Sequence, residues 1–122
     1  MKKILIQDKS SNFFTLDAVR GSVQDDFKGI FEIETTRCLS RTVFDITKYS
    51  LVISHPDVYE GCCTPSILRA NEMGVPMVFT YQMMNPDKEL RAVSERFKIE
   101  LKQRFLGYEF YRDLIKRLED KI

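Results

Sequence analysis

Leu51-Val52-Ile53-Ser54-His55-Pro56 is the stretch on which the reading of the fold turns. Three apolar β-formers in a row suit a strand buried on both faces, as in a parallel sheet. Pro56 pushes His55 into an extended conformation, so the strand ends there. Downstream, a loop through Gly61 leads to Thr64-Pro65, where Thr caps a helix and Pro is tolerated at its first position. Ile67, Leu68, Ala70 and Met73 supply the apolar face of that helix, and Gly74 is placed to end it. Val75 to Phe79 is then another buried strand, with Pro76 near its start, where a missing N–H does least harm.

The same grammar runs toward both ends. Ile4-Leu5-Ile6 is a short buried strand that runs out at Asp8. Ser10 or Ser11 can cap the helix that follows, whose helically spaced positions are Phe13, Leu16, Val19 (or Arg20), Val23 and Phe27, with Gly29 closing the unit. Residues 30–35 alternate as a second strand. Leu39, Val43 and Ile46, with Phe44 beside them, predict a short second helix. Beyond Tyr81, Asn85-Pro86-Asp87 opens a helix carrying Leu90, Val93 and Phe97. Residues 97–101 fit either a strand, by alternation, or more helix, by propensity. The last helix carries Phe110 or Tyr111, then Leu114, Ile115, Leu118 and Ile122, with mixed charges on its outer face. Strand and helix alternate throughout, which predicts an α/β three-layer sandwich with a central parallel sheet. Ligands of such sheets sit at the carboxyl ends of the strands. That directs attention to Asp8 and Lys9, Thr35 to Arg37, Ser54 to Asp57, and Thr80 to Gln82.

Composition bounds the function. The 122 residues suit a single domain spanning 1–122, and 43% hydrophobic with 30% charged content is that of a folded chain. Nineteen basic and eighteen acidic residues leave a net charge of +1, which argues against nucleic acid or an anionic membrane as partner. The basic stretch from Lys88 to Arg104 is interrupted by Glu89, Glu95 and Glu100 and reads as a solvated face. No run approaches the roughly 20 apolar residues of a membrane span. The run at residues 4–6 is shorter than the roughly 7–15 residues of a signal-peptide core. The three cysteines, Cys38, Cys62 and Cys63, cannot all pair, which predicts a reduced, cytoplasmic protein.

Taken together, these residues resemble the receiver domain of two-component response regulators. Residues 2–8 look like that family's first strand, which ends in a pair of acids. Residues 49–55 look like its third strand, which ends at the phosphorylated aspartate. Gly61, Ile67-Leu68 and Val75-Pro76-Met77-Val78-Phe79 fall on its glycine, third helix and fourth strand, and residues 98–122 on its fifth strand and last helix. The resemblance implies a five-stranded sheet of order 2-1-3-4-5 and a signal-transduction role.

The chemistry of the family does not follow. A receiver needs an aspartate nucleophile and further carboxylates holding Mg²⁺, a cation that wants hard oxygen ligands. Here the phosphoacceptor position falls on His55. Of the acid pair only Asp8 remains, beside Lys9. The switch hydroxyl falls on Thr80 or Tyr81, and the phosphate-clamping lysine on Lys102 or Arg104. The expected pocket is therefore Asp8, Lys9, Ser54, His55, Asp57, Thr80, Tyr81 and Lys102, with no catalytic residue, metal or cofactor.

Several single features carry two readings each. His55 can be a general base or a hydrogen-bonded loop residue. Cys62-Cys63, ahead of a helix N-terminus, can be reactive or inert, and neither spacing nor ligand number matches a zinc motif. In receivers, the face made by the fourth helix, fifth strand and fifth helix meets partners, which implicates Phe105, Tyr108, Tyr111 and Arg112 in contacts with a protein partner or a second copy. The expectation is thus a non-enzymatic pseudo-receiver, with no DNA-binding output of its own, acting through protein–protein contacts. One alternative is a nucleotide- or sugar-nucleotide-binding protein or enzyme, because residues 57–61 through Val75-Pro76 resemble the ligand loops of some glycosyltransferases and nucleoside deoxyribosyltransferases. The phosphate-cradling glycines of a dinucleotide fingerprint are missing. Another is a true phosphoacceptor using Asp57.

Overall fold

The structure, a computed structural model, describes residues 1–56 (for Phe13, the backbone), 61–82, 84–104 and 107–122. Five strands, β1 (Lys2–Asp8), β2 (Phe31–Thr36), β3 (Tyr49–His55), β4 (Met77–Tyr81) and β5 (Glu100–Gln103), alternate with helices α1 (Phe13–Asp26), α2 (Thr64–Glu72), α3 (Lys88–Phe97) and α4 (Glu109–Leu118). All pairings are parallel and the order is β2-β1-β3-β4-β5. The expected α/β three-layer sandwich, with its strands in the order 2-1-3-4-5, is the observed one.

The apolar runs that decide this reading are buried on both faces. Ile4, Ile6, Ile53 and Val78 face α1 and α4, where they meet Val23, Phe27, Leu114 and Ile115. Leu5, Val52 and Phe79 point the other way, onto Leu39, Ile46, Ile67, Ala70 and Leu90. Successive strand side chains alternate between faces, so a continuous apolar run is what a two-sided core requires. Each such residue contributes about 1.5–3 kcal/mol by leaving water.

Four local expectations are corrected. The helix predicted around Leu39–Ile46 is replaced by two 3₁₀ turns, Leu39–Thr42 and Ile46–Lys48. Neither turn has a capping side chain, and the β-branched Thr42, Val43 and Ile46 disfavour a longer helix. Leu39 and Ile46 still reach the core, whereas Phe44 is 85% exposed. Asn12, rather than Ser10 or Ser11, caps α1, its Oδ1 accepting from Thr15 N at 2.8 Å. Thr64 is the first residue of α2 rather than its cap, a position taken by Cys63. Lastly, α3 runs to Phe97 and Lys98 turns it off in the left-handed region (φ 55°), so β5 begins only at Glu100. Ile99 seals that corner: its N–H donates to Ser94 O at 2.9 Å, and its carbonyl accepts from Ser94 Oγ.

Among the described residues, no helix is long and apolar enough to cross a membrane.

Candidate functional site

The carboxyl ends of β1, β3 and β4 converge as the parallel sheet requires, and the register sets Asp8 opposite His55. Asp8 is 1% exposed. Its Oδ1 accepts from Ser10 N at 2.9 Å and Ser10 Oγ at 2.7 Å, and its Oδ2 from Ser11 Oγ at 2.6 Å. Ser10 and Ser11, free of the capping task, are thus spent on this carboxylate. The remaining partner is Arg104, whose Nη1 is ion-paired with Asp8 Oδ2. Arg104 leaves the end of β5, anchored by its own N–H on Tyr81 O at 2.7 Å. It crosses the mouth of the sheet, donating also to Tyr111 Oη at 3.1 Å and Ser10 Oγ at 3.4 Å. The Arg104 side chain is only 9% exposed, so the pair lies largely out of water.

His55 completes the arrangement without closing a hydrogen bond to it. Its Nδ1 lies 3.5 Å from Asp8 Oδ1, is buried, and has no hydrogen-bond partner among the described residues. Burial and the charge of Lys9 push the His55 pKa below its ordinary value, opposed only in part by Asp87, so the ring is neutral at pH 7. The folded state therefore resists a proton that the unfolded chain accepts below about pH 6.5. Stability is expected to fall as pH drops through that value and to be at its full level above it. Urea midpoints measured from pH 7.5 to 5 should show the fall, and His55→Gln should flatten it.

Other expected pocket residues are consumed by structure. Gln7 is buried beside Asp8, donating through Nε2 to Arg37 O (2.8 Å) and His55 O (3.0 Å). Its Oε1 accepts from Ser54 Oγ, and Thr80 Oγ1 donates to Ser54 O at 3.5 Å. This buried seam ties β1, β3, β4 and the Arg37 turn together. Sequence reasoning passed over Gln7, although a lone amide straight after Ile4-Leu5-Ile6 was the available signal. Lys9 N donates to His55 O at 3.3 Å. Tyr81 is half-buried against the α2/α3 side.

Three expectations are corrected or fall outside. Lys102 does not join the cluster. It is exposed and lines a depression with Phe110, Asp113 and Arg117, and the cation that reaches Asp8 is Arg104. Tyr111, expected on an outer contact face, is 4% exposed in the α1/α4 core with its hydroxyl on Arg104. Tyr108 is half-buried and Arg112 stacks over its ring at 5.9 Å while donating to Asp113 at 3.0 Å. Asp57 and Phe105 lie outside the described residues.

Two clefts flank the carboxyl edge. One, of about 420 Å³, is bordered by Asp8, Arg104, Gln82 and Tyr111. The other, of about 460 Å³, is bordered by Lys9, Arg37, Arg41 and all three cysteines. Burial raises the Cys38 pKa, but hydrogen bonding with Ser40 and the neighbouring thiols outweighs it and leaves it lowered. Contact with Cys38, then burial, pushes Cys62 up to about 12.

No protein-family model matches the chain, and no curated protein matches it in sequence. Solved structures that share its fold include two from Burkholderia. A protein assigned to pilus assembly from Burkholderia pseudomallei K96243 superposes with a TM-score of 0.64 at 11% identity, covering 99% of this chain and 91% of that one. A pilus assembly protein (CpaE) from Burkholderia thailandensis E264 gives 0.61 at 13% identity, covering 98% and 99%. At these identities the likeness is one of fold. The chain has a receiver-like fold.

Proposed function

We propose that this chain is a phosphorylation-independent, receiver-like signalling module that works by binding another protein. One observation carries the reading: the Asp8 carboxylate, where a receiver would hold Mg²⁺, is taken up by Arg104, Ser10 and Ser11. A metal at that position would have to displace a buried guanidinium and three further donors. Both oxygens are already satisfied, and Mg²⁺ gives up its own waters reluctantly. His55, at the phosphoacceptor position, is a neutral ring rather than a carboxylate. Among the described residues, no group of three or more acidic or histidine side chains converges on one point.

A module of this kind transmits through a surface. The α4–β5 edge supports that role: Lys102, Phe110, Asp113 and Arg117 border a depression of about 360 Å³ beside an edge strand. Half-buried Tyr108 and Phe110 offer apolar area there, with Arg112 beside them, residue types that anchor contacts. The two solved structures compared above are assigned to pilus assembly. An adaptor within an assembly machine accords with a fold stripped of its phosphorylation chemistry.

Incubation with acetyl phosphate and Mg²⁺, followed by intact-mass measurement, tests the reading. The expected mass is unchanged. Gain of one phosphoryl group that Asp57→Asn abolishes would instead establish a true phosphoacceptor.

A further inference from the structure

Cys38 follows β2, and Cys62 and Cys63 precede α2, 24 and 25 residues further along the chain. The fold brings the three together. Their Sγ atoms lie 3.4 Å (Cys38–Cys62), 3.9 Å (Cys62–Cys63) and 4.0 Å (Cys38–Cys63) apart. This is a near-equilateral triangle, and its sides match those expected around a metal ion. Thiolates bound to zinc at about 2.3 Å in a tetrahedron stand about 3.8 Å from one another, and about 4.0 Å apart in a trigonal plane. A disulfide would draw one pair to about 2.05 Å and leave the third sulfur idle, so a triangle serves no cross-link.

The triangle is also supported from behind. Gln7 Nε2 holds Arg37 O, Thr36 Oγ1 donates to Cys38 O at 3.2 Å, and Ser66 Oγ of α2 donates to Leu39 O. The cysteine loop after β2 is thus pinned on either side of Cys38, once to β1 and once to the helix that carries the other two thiols. Cys63 is 1% exposed and Ile67 N donates to its carbonyl at 3.1 Å. Outer partners that fix ligand orientation are what a metal site requires. Cys38 and Cys62 keep partial access to the 460 Å³ cleft, an entry path with room for a further, external ligand. Lys9, Arg37 and Arg41 border that cleft, and their positive charge offsets the negative charge left when three thiolates bind a mono- or divalent cation.

We propose that Cys38, Cys62 and Cys63 form a three-thiolate site for a soft d¹⁰ metal ion, Cu(I) or Zn²⁺, opening onto the Lys9–Arg37–Arg41 cleft. Sulfur ligands select these ions over Mg²⁺ or Ca²⁺. The site is distinct from the Asp8 cluster and stands whether or not the proposed signalling role does.

The reduced chain, desalted without oxygen, tests it. Zn²⁺ and Cu(I) are titrated separately against chromophoric chelators, and native mass spectrometry counts the ions. The expected result is one ion per chain in at least one arm, with all three thiols protected from alkylation. The arm that binds names the metal. Cys38→Ser and Cys62→Ser should each weaken binding at least tenfold while far-UV circular dichroism stays unchanged. Cys62→Ser keeps the test decisive if Cys38→Ser does not fold. No bound ion in either arm overturns the site, as does binding that both serine variants leave undiminished.

Discussion

Arg104→Ala is expected to destabilise the fold by about 3–5 kcal/mol, the cost of leaving a buried charge without its partner. Asp8 would keep Ser10 and Ser11, but neither hydroxyl supplies a positive charge. The same change strips a donor from Tyr111 Oη inside the α1/α4 core. Arg104→Lys should recover only part of the loss, because an ammonium is a compact charge that cannot span Asp8, Ser10 and Tyr111 as the guanidinium fork does. Urea unfolding checks both: the midpoint should fall with little change in slope. A loss under about 1 kcal/mol would mean the pair is effectively solvated, as exposed ion pairs are.

The second large effect separates the two phenylalanines that bracket the middle of the chain. Phe79→Ala should cost about 3–5 kcal/mol, since Phe79 on β4 is fully buried in the core with Leu5, Val52, Ile67 and Leu90, and its loss opens a cavity there. Phe44→Ala should stay within about 0.5 kcal/mol, because its ring already faces water between two 3₁₀ turns. The sequence pattern alone put Phe44 beside a helix face. Comparable losses from both variants would restore that helix and contradict the observed turns.

That contrast shows what a sequence does and does not make legible. Runs buried on both faces need no phase: Ile4-Leu5-Ile6 and Leu51-Val52-Ile53 are apolar at every position, so strand and sheet class follow from them, whereas the order 2-1-3-4-5 came from the resemblance to receivers. Asp8 and His55 were legible because they end such runs, and ligands of parallel sheets gather at strand ends. Where phase matters, reading fails. Lys102 and Arg104 have the same parity on β5, so alternation cannot choose between them. The choice depends on where the strand stops: Lys102 still pairs with Thr80, while Arg104 lies past Gln103 and is free to cross to β1. Phe110 and Tyr111 both fit a helical stripe, and only the packed angle of α4 sends Tyr111 inward. The cysteine triangle was out of reach, because no local pattern tells that the turn after β2 folds against the start of α2.

The carboxylate at the sheet's edge is held by an internal cation, Arg104. A double-mutant cycle of Asp8→Asn and Arg104→Gln, read by urea unfolding, measures that bond most directly. Each single change should be costly, because each strands a buried charge, and the double variant should cost less than their sum by at least about 1.5 kcal/mol, toward the upper part of the range for contacting residues. Additivity within about 0.5 kcal/mol would show that Asp8 and Arg104 do not hold one another.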